Sequence, residues 1–110
     1  MYIPKHKSMH IWVYLHTCEK REEECALLNS GATENFMQLS YARRLKYPVR
    51  ELNEPWLLYN VDGTINKAGE ICWYMDIKVQ TRTQHTWMRF FLSDLGNNRI
   101  ILEYPWFSAV

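Results

Sequence analysis

Apolar and polar residues alternate strictly at 9–16, where Met9, Ile11, Val13 and Leu15 are interleaved with His10, Trp12, Tyr14 and His16. A period of two predicts a strand with one buried face. The clearest strand is 70–80, with Ile71, Trp73, Met75, Ile77 and Val79 on one face and Cys72, Tyr74, Asp76, Lys78 and Gln80 on the other. A short buried strand at 25–28 breaks into a tight turn at Asn29-Ser30-Gly31. Residues 57–61 read as a strand, and Asp62-Gly63-Thr64 opens a turn with Gly69 as a second pivot. Paired with 70–80, that strand makes a hairpin whose tip spans 62–69.

Residues 86–92 are apolar on both faces and predict a central strand. A turn at 95–98 leads to a buried strand at 99–102. Phe36, Leu39 and Leu45 recur at helical spacing and Pro48 stops any helix, so one short helix is expected at 38–45. Pro105 opens a final helical turn over 105–109. The charge run 19–24 reads as a solvated hairpin tip, and the polar stretch 1–8 as a loose arm or edge strand. About seven strands with one or two short helices predict an all-β, closed or partly closed barrel.

At 110 residues the chain, 1–110, makes a single domain, and 47% hydrophobic with 15% aromatic residues is enough for a packed core. A net charge of +1 lacks the electrostatic footprint of a phosphate-binding surface, so no nucleic-acid partner is expected. No apolar run reaches the roughly 20 residues of a membrane span, and Lys5 and Lys7 are not followed by a secretory-type run. A cytoplasmic location without membrane contact follows as the expectation. Three cysteines, Cys18, Cys25 and Cys72, suit a reducing compartment. Cys18 and Cys25 could face each other across a hairpin, but no disulfide is expected. With His16 the cysteines match no zinc spacing. Trp12, Trp56, Trp73, Trp87 and Trp106 could stack bases, but without a basic groove they read as core or interface residues.

The stretch Ala26-Leu27-Leu28-Asn29-Ser30-Gly31-Ala32-Thr33 resembles the active-site loop of retropepsins, the aspartic proteases of retroviruses and LTR retrotransposons, whose pattern is two apolar residues then Asp-Ser/Thr-Gly-Ala. The resemblance runs from Met9 to Phe107 through Asn60-Val61-Asp62-Gly63-Thr64, Phe90-Phe91-Leu92-Ser93-Asp94-Leu95-Gly96 and Ile100-Ile101-Leu102-Glu103-Tyr104-Pro105-Trp106-Phe107. In this order the chain is similar to the protease domain of gypsy-type, fungal LTR-retrotransposon polyproteins. The resemblance implies a closed acid-protease barrel with no cofactor or metal, one half-site per subunit, a homodimer, and an extended peptide or polyprotein substrate. It assigns Asn29, Ser30 and Gly31 to the catalytic loop, with Ser30 bonding to its counterpart loop and Gly31 permitting close backbone approach. Ala32 and the presumed flap residues Asp62, Gly63 and Thr64 are assigned to substrate binding. Retroviral members build much of the dimer interface from terminal strands, and Val110 follows directly on the last helical turn, which keeps a monomer open.

An aspartic protease shares one proton between two carboxylates, which crowding splits into a base and an acid. Asn29 keeps the shape but not the titratable group, so a symmetric dimer has no base. The aspartates Asp62, Asp76 and Asp94 are not followed by Ser or Thr and then Gly, and Glu34 reads as a surface residue. An inactive protease domain is expected, whether as an engineered knockout or as a naturally decayed copy. The alternatives are a non-enzymatic dimerisation or peptide-binding module on the same barrel, and a nucleic-acid-binding barrel. Glu103 stands where the family has glycine; if that glycine's backbone conformation is needed, Glu103 strains or displaces the turn, and otherwise it is tolerated.

Overall fold

The computed structural model describes residues 9–29, 34–59, 64–82 and 84–103. Along these run β1 (Met9–His16), β2 (Arg21–Asn29), β3 (Asn35–Gln38), α1 (Leu39–Arg44), β4 (Arg50–Tyr59), β5 (Ile65–Gln80), β6 (His85–Ser93) and β7 (Ile100–Glu103). The sheet order is β1-β2-β7-β3-β6-β5-β4, with a further β1–β5 pairing. That pairing closes six strands into a barrel and leaves β4 outside the ring. Closure removes the unpaired edges that an open sheet would present.

The length of β5 makes this possible. Residues Trp73 to Gln80 pair with β6 along one edge. On the opposite edge β1 takes His16↔Lys78 to Tyr14↔Gln80, while β4 takes the stretch from Ile65 to Tyr74. Val13, Leu15, Ala26, Met37, Met75, Ile77, Phe90, Ile100 and Leu102 are fully buried in the barrel interior, and Tyr41 and Ala42 of α1 close one side of it. Each strand therefore delivers alternate residues to one core.

Several elements differ from the sequence reading. Arg21 to Glu24 belong to β2 and pair with His16 to Val13, so the hairpin turn covers only 17–20. There Thr17 Oγ1 donates to the Lys20 carbonyl at 2.8 Å and accepts the Lys20 N–H at 3.1 Å. Phe36 lies in β3, a strand masked by its helical spacing from Leu39; β3 is extended because β6 and β7 bond to it on both edges. Within the predicted 38–45 the helix itself is Leu39–Arg44, ended by Lys46 at φ 54. Trp73 is 38% exposed although it alternates with buried Ile71 and Met75.

The hairpin of β4 and β5 is longer than expected, since Tyr59 pairs with Ile65. Gly69 is inside β5 rather than at a turn, and its φ of +74° falls where the register shifts between Leu57↔Glu70 and Tyr59↔Ile65. A second shift lies between Glu51↔Trp73 and Trp56↔Ile71. Pro55 falls inside it, as expected of a residue with no N–H for the ladder. The arm at 1–8 and the helical turn expected at 105–109 lie outside the described residues.

Candidate active site

Asn29 is the last residue of β2 and pairs in parallel with Glu103, the last residue of β7. On the other flank of β7, β3 runs antiparallel with Phe36↔Ile101. So β2 ends and β3 begins at the same end of β7. Asn35 fastens this corner: its Oδ1 accepts the Glu103 N–H at 3.0 Å. The backbone of residue 29 is thereby held at the mouth of the barrel by a strand that is itself gripped on both edges.

Glu103 is half-buried, and its φ lies outside the left-handed region, where Lys46 is the single non-glycine residue among those described. Of the two alternatives for position 103, strain or tolerance, the backbone shows tolerance. The reason is that position 103 continues the β7 ladder instead of turning out of it. Neither this pairing nor the role of Asn35 had a signal in the sequence, because both depend on register between segments more than 65 positions apart.

Of the residues assigned by resemblance, Ser30, Gly31, Ala32, Asp62 and Gly63 lie outside the described residues. Thr64 is exposed just before β5. Two of the other carboxylates are committed elsewhere. Asp76 is gripped by Arg89 through Nε at 2.8 Å and the second guanidinium nitrogen at 3.0 Å, which holds its carboxyl below the usual range. Asp94 accepts the Gly96 N–H at 3.1 Å and a bond from Gln38 Nε2 at 3.2 Å, in the turn before β7. Glu34 is exposed immediately ahead of β3.

The entry to β7 is fixed by a second cluster. Arg99 bonds Glu24 Oε2 at 3.0 Å and lies 5.4 Å from the Tyr41 ring. Burial pushes the Tyr41 hydroxyl well above the ordinary tyrosine range, with the Glu24 charge adding to it. Beyond the barrel, Trp56 of the β4–β5 hairpin packs on Phe91 with ring centroids 4.3 Å apart, and Phe91 lies 6.4 Å from Phe36. Trp56, Leu57 and Trp73 leave 42%, 50% and 38% of their surfaces exposed, so the hairpin carries exposed apolar area.

No group of three or more metal-ligating side chains forms among the described residues, and Cys18, Cys25 and Cys72 are free thiols. Cys25 pairs with Trp12 rather than with Cys18, which occupies the β1–β2 turn.

Residues 25–109 match the family model of the PEG10/RTL1 protease domain. The chain belongs to this family. A PEG10/RTL1-type protease domain is retropepsin-like, and the architecture agrees: EIAV protease, solved in complex with the inhibitor HBY-793, superposes with a TM-score of 0.67 over 99% of this chain and 93% of its own. The two sequences are 16% identical, so the likeness is one of fold. No curated protein sequence matches the chain significantly. Within the matched span lie both strands that end at the site, β2 from Cys25 onward and the whole of β7.

Proposed function

We propose that this protease domain is one half-site of a homodimeric aspartic endopeptidase of gypsy-type retrotransposon origin, unable to cleave in this form because residue 29 is Asn. The observation that carries the reading is the seating of Asn29 at the end of β2, against the end of β7, in a chain of a protease-domain family. A carboxylate at that point, doubled by a two-fold axis, would supply the base and acid of the reaction. An amide cannot take the proton of the attacking water, and general acid–base catalysis alone accounts for about 10² to 10⁴ in rate.

What survives the amide is binding. The apolar hairpin surface around Trp56, Leu57 and Trp73 suits a lid over an extended peptide held by strand-like hydrogen bonds, and the family resemblance assigns Ser30 and Gly31 to the catalytic loop and Ala32, Asp62, Gly63 and Thr64 to substrate binding. The domain then acts as a peptide-binding or dimerisation module in the cytoplasm.

The test is Asn29→Asp. Pepstatin-sensitive cleavage of a peptide library by the variant, with none by the Asn29 chain, is the expected result. Sedimentation equilibrium on both forms should show a dimer. Cleavage by the Asn29 form itself, or a monomer that binds no peptide, overturns the reading.

A further inference from the structure

The net charge of +1 conceals how the barrel sorts its charges. Residues directly opposite one another in paired strands share a face of the sheet. Arg21, His16, Lys78 and Trp87 are successive lateral partners across β2, β1, β5 and β6. They form one row on the outer face, since their neighbours Leu15, Ile77, Val79 and Met88 fill the core. The next row holds Tyr14, Gln80 and His85, and Trp12 lies one step further along β1.

This face is aromatic and cationic together. Trp12 is 62% and Trp87 64% exposed, the two highest values among the large hydrophobic residues described. The Arg21 guanidinium lies over the Tyr14 ring at 4.3 Å. The His16 and His85 rings sit 5.3 Å apart, and His16 Nε2 is hydrogen-bonded to Gln80 Oε1 at 2.8 Å. Two acids, Glu23 and Asp76, interrupt the face, and Asp76 is already neutralised by Arg89. Lys78 has no ion-pair partner among the described residues.

We infer that this outer face binds single-stranded nucleic acid, with Trp12 and Trp87 as stacking platforms and with Lys78, beside Trp87, and Arg21, at the far end of the same row, on the phosphates. Strand spacing and rise put the two indoles on the order of 15 Å apart, the span of several nucleotides rather than of one small ligand. Stacking on aromatic side chains over a flat sheet, with cations tracking the backbone, is how sheet-based single-strand binders work. A duplex offers no such open bases. The surface is independent of the protease reading, because no residue in it takes part in the corner around Asn29.

The test uses the unsubstituted Asn29 chain and a fluorescein-labelled oligothymidine or oligouridine of about 12 nucleotides, followed by anisotropy. Binding should weaken with salt with a logarithmic slope of about −1 to −2, for two or three phosphates contacted. Trp12→Ala and Trp87→Ala should each weaken it roughly tenfold, and Lys78→Glu should lower both the affinity and the slope. Arg43→Glu, an exposed charge on α1 away from this face, should leave affinity unchanged, and circular dichroism should show every variant folded. Comparing thymidine with uridine oligomers separates DNA from RNA preference. Equal loss in the Arg43 and Lys78 variants, equal binding of a duplex, or binding to phosphatidylserine vesicles but to neither oligonucleotide overturns the inference.

Discussion

Asn29 and Glu103 are lateral neighbours, the terminal residues of two adjacent parallel strands at the mouth of the barrel. Residue 29 therefore has a carboxylate-bearing residue as its backbone partner on the next strand, a juxtaposition with consequences for any attempt to restore catalysis.

In Asn29→Asp, the introduced carboxylate would sit next to Glu103, and a like charge raises a carboxyl pKa. The pH optimum of peptide cleavage by Asn29→Asp should accordingly lie about one unit above that of the double variant Asn29→Asp, Glu103→Gln. Coincident pH–rate profiles would show that residue 103 does not act on the site.

Asn35 holds the end of β7 through the Glu103 N–H. Asn35→Ala leaves that half-buried donor unpaired and should cost about 1 kcal/mol in urea unfolding. Asn35→Asp keeps the acceptor and should retain most of the stability.

Tyr41 is buried, and its hydroxyl has no hydrogen-bond partner of good geometry among the described residues, while the nearby Glu24 carboxylate adds to the effect of burial. Its folded pKa is raised, so the stability it contributes is fully present below the unfolded value near 10 and falls as pH climbs through the folded value. Tyr41→Phe should abolish this alkaline decline in melting temperature and change neutral-pH stability by less than about 1 kcal/mol.

Asp76 carries the opposite sign. Its carboxyl is held low chiefly by the Arg89 hydrogen bonds, so its contribution is present above the unfolded value near 3.9 and is lost as pH falls through the folded one. With 38% of the side chain exposed, water screens the pair, and Asp76→Asn should cost well under about 1 kcal/mol at pH 7. Urea midpoints of the two proteins should converge in acid.

Legibility from sequence followed the hydrophobic period. β1, the long β5 and central β6 were readable because one face of each is filled by apolar side chains that no other conformation would bury together, although β6 turns Trp87 and Arg89 outward where its sequence reads as apolar on both faces. α1 was readable from its spacing and from Pro48. β3 was not, since four residues cannot display a period, and only flanking β6 and β7 hold them extended. The charged half of β2 was read as a loop because a strand exposed on one face at the barrel rim has no apolar run to announce it. Gly69 looked like a turn pivot, yet its left-handed backbone serves a bulge within the hairpin.

The same division applies to the site. Ala26-Leu27-Leu28 followed by Asn29-Ser30-Gly31 determined by itself that a buried strand ends on a polar side chain, and that this side chain is an amide. Burial preference and turn chemistry are local properties, written in a few consecutive residues. What only the tertiary structure decided is what stands beside Asn29, what pins that corner, and which charges gather on the outer face. Glu103, Asn35 and the row from Arg21 to Trp87 meet through strand register, and register is set by closure of the whole barrel rather than by any one segment.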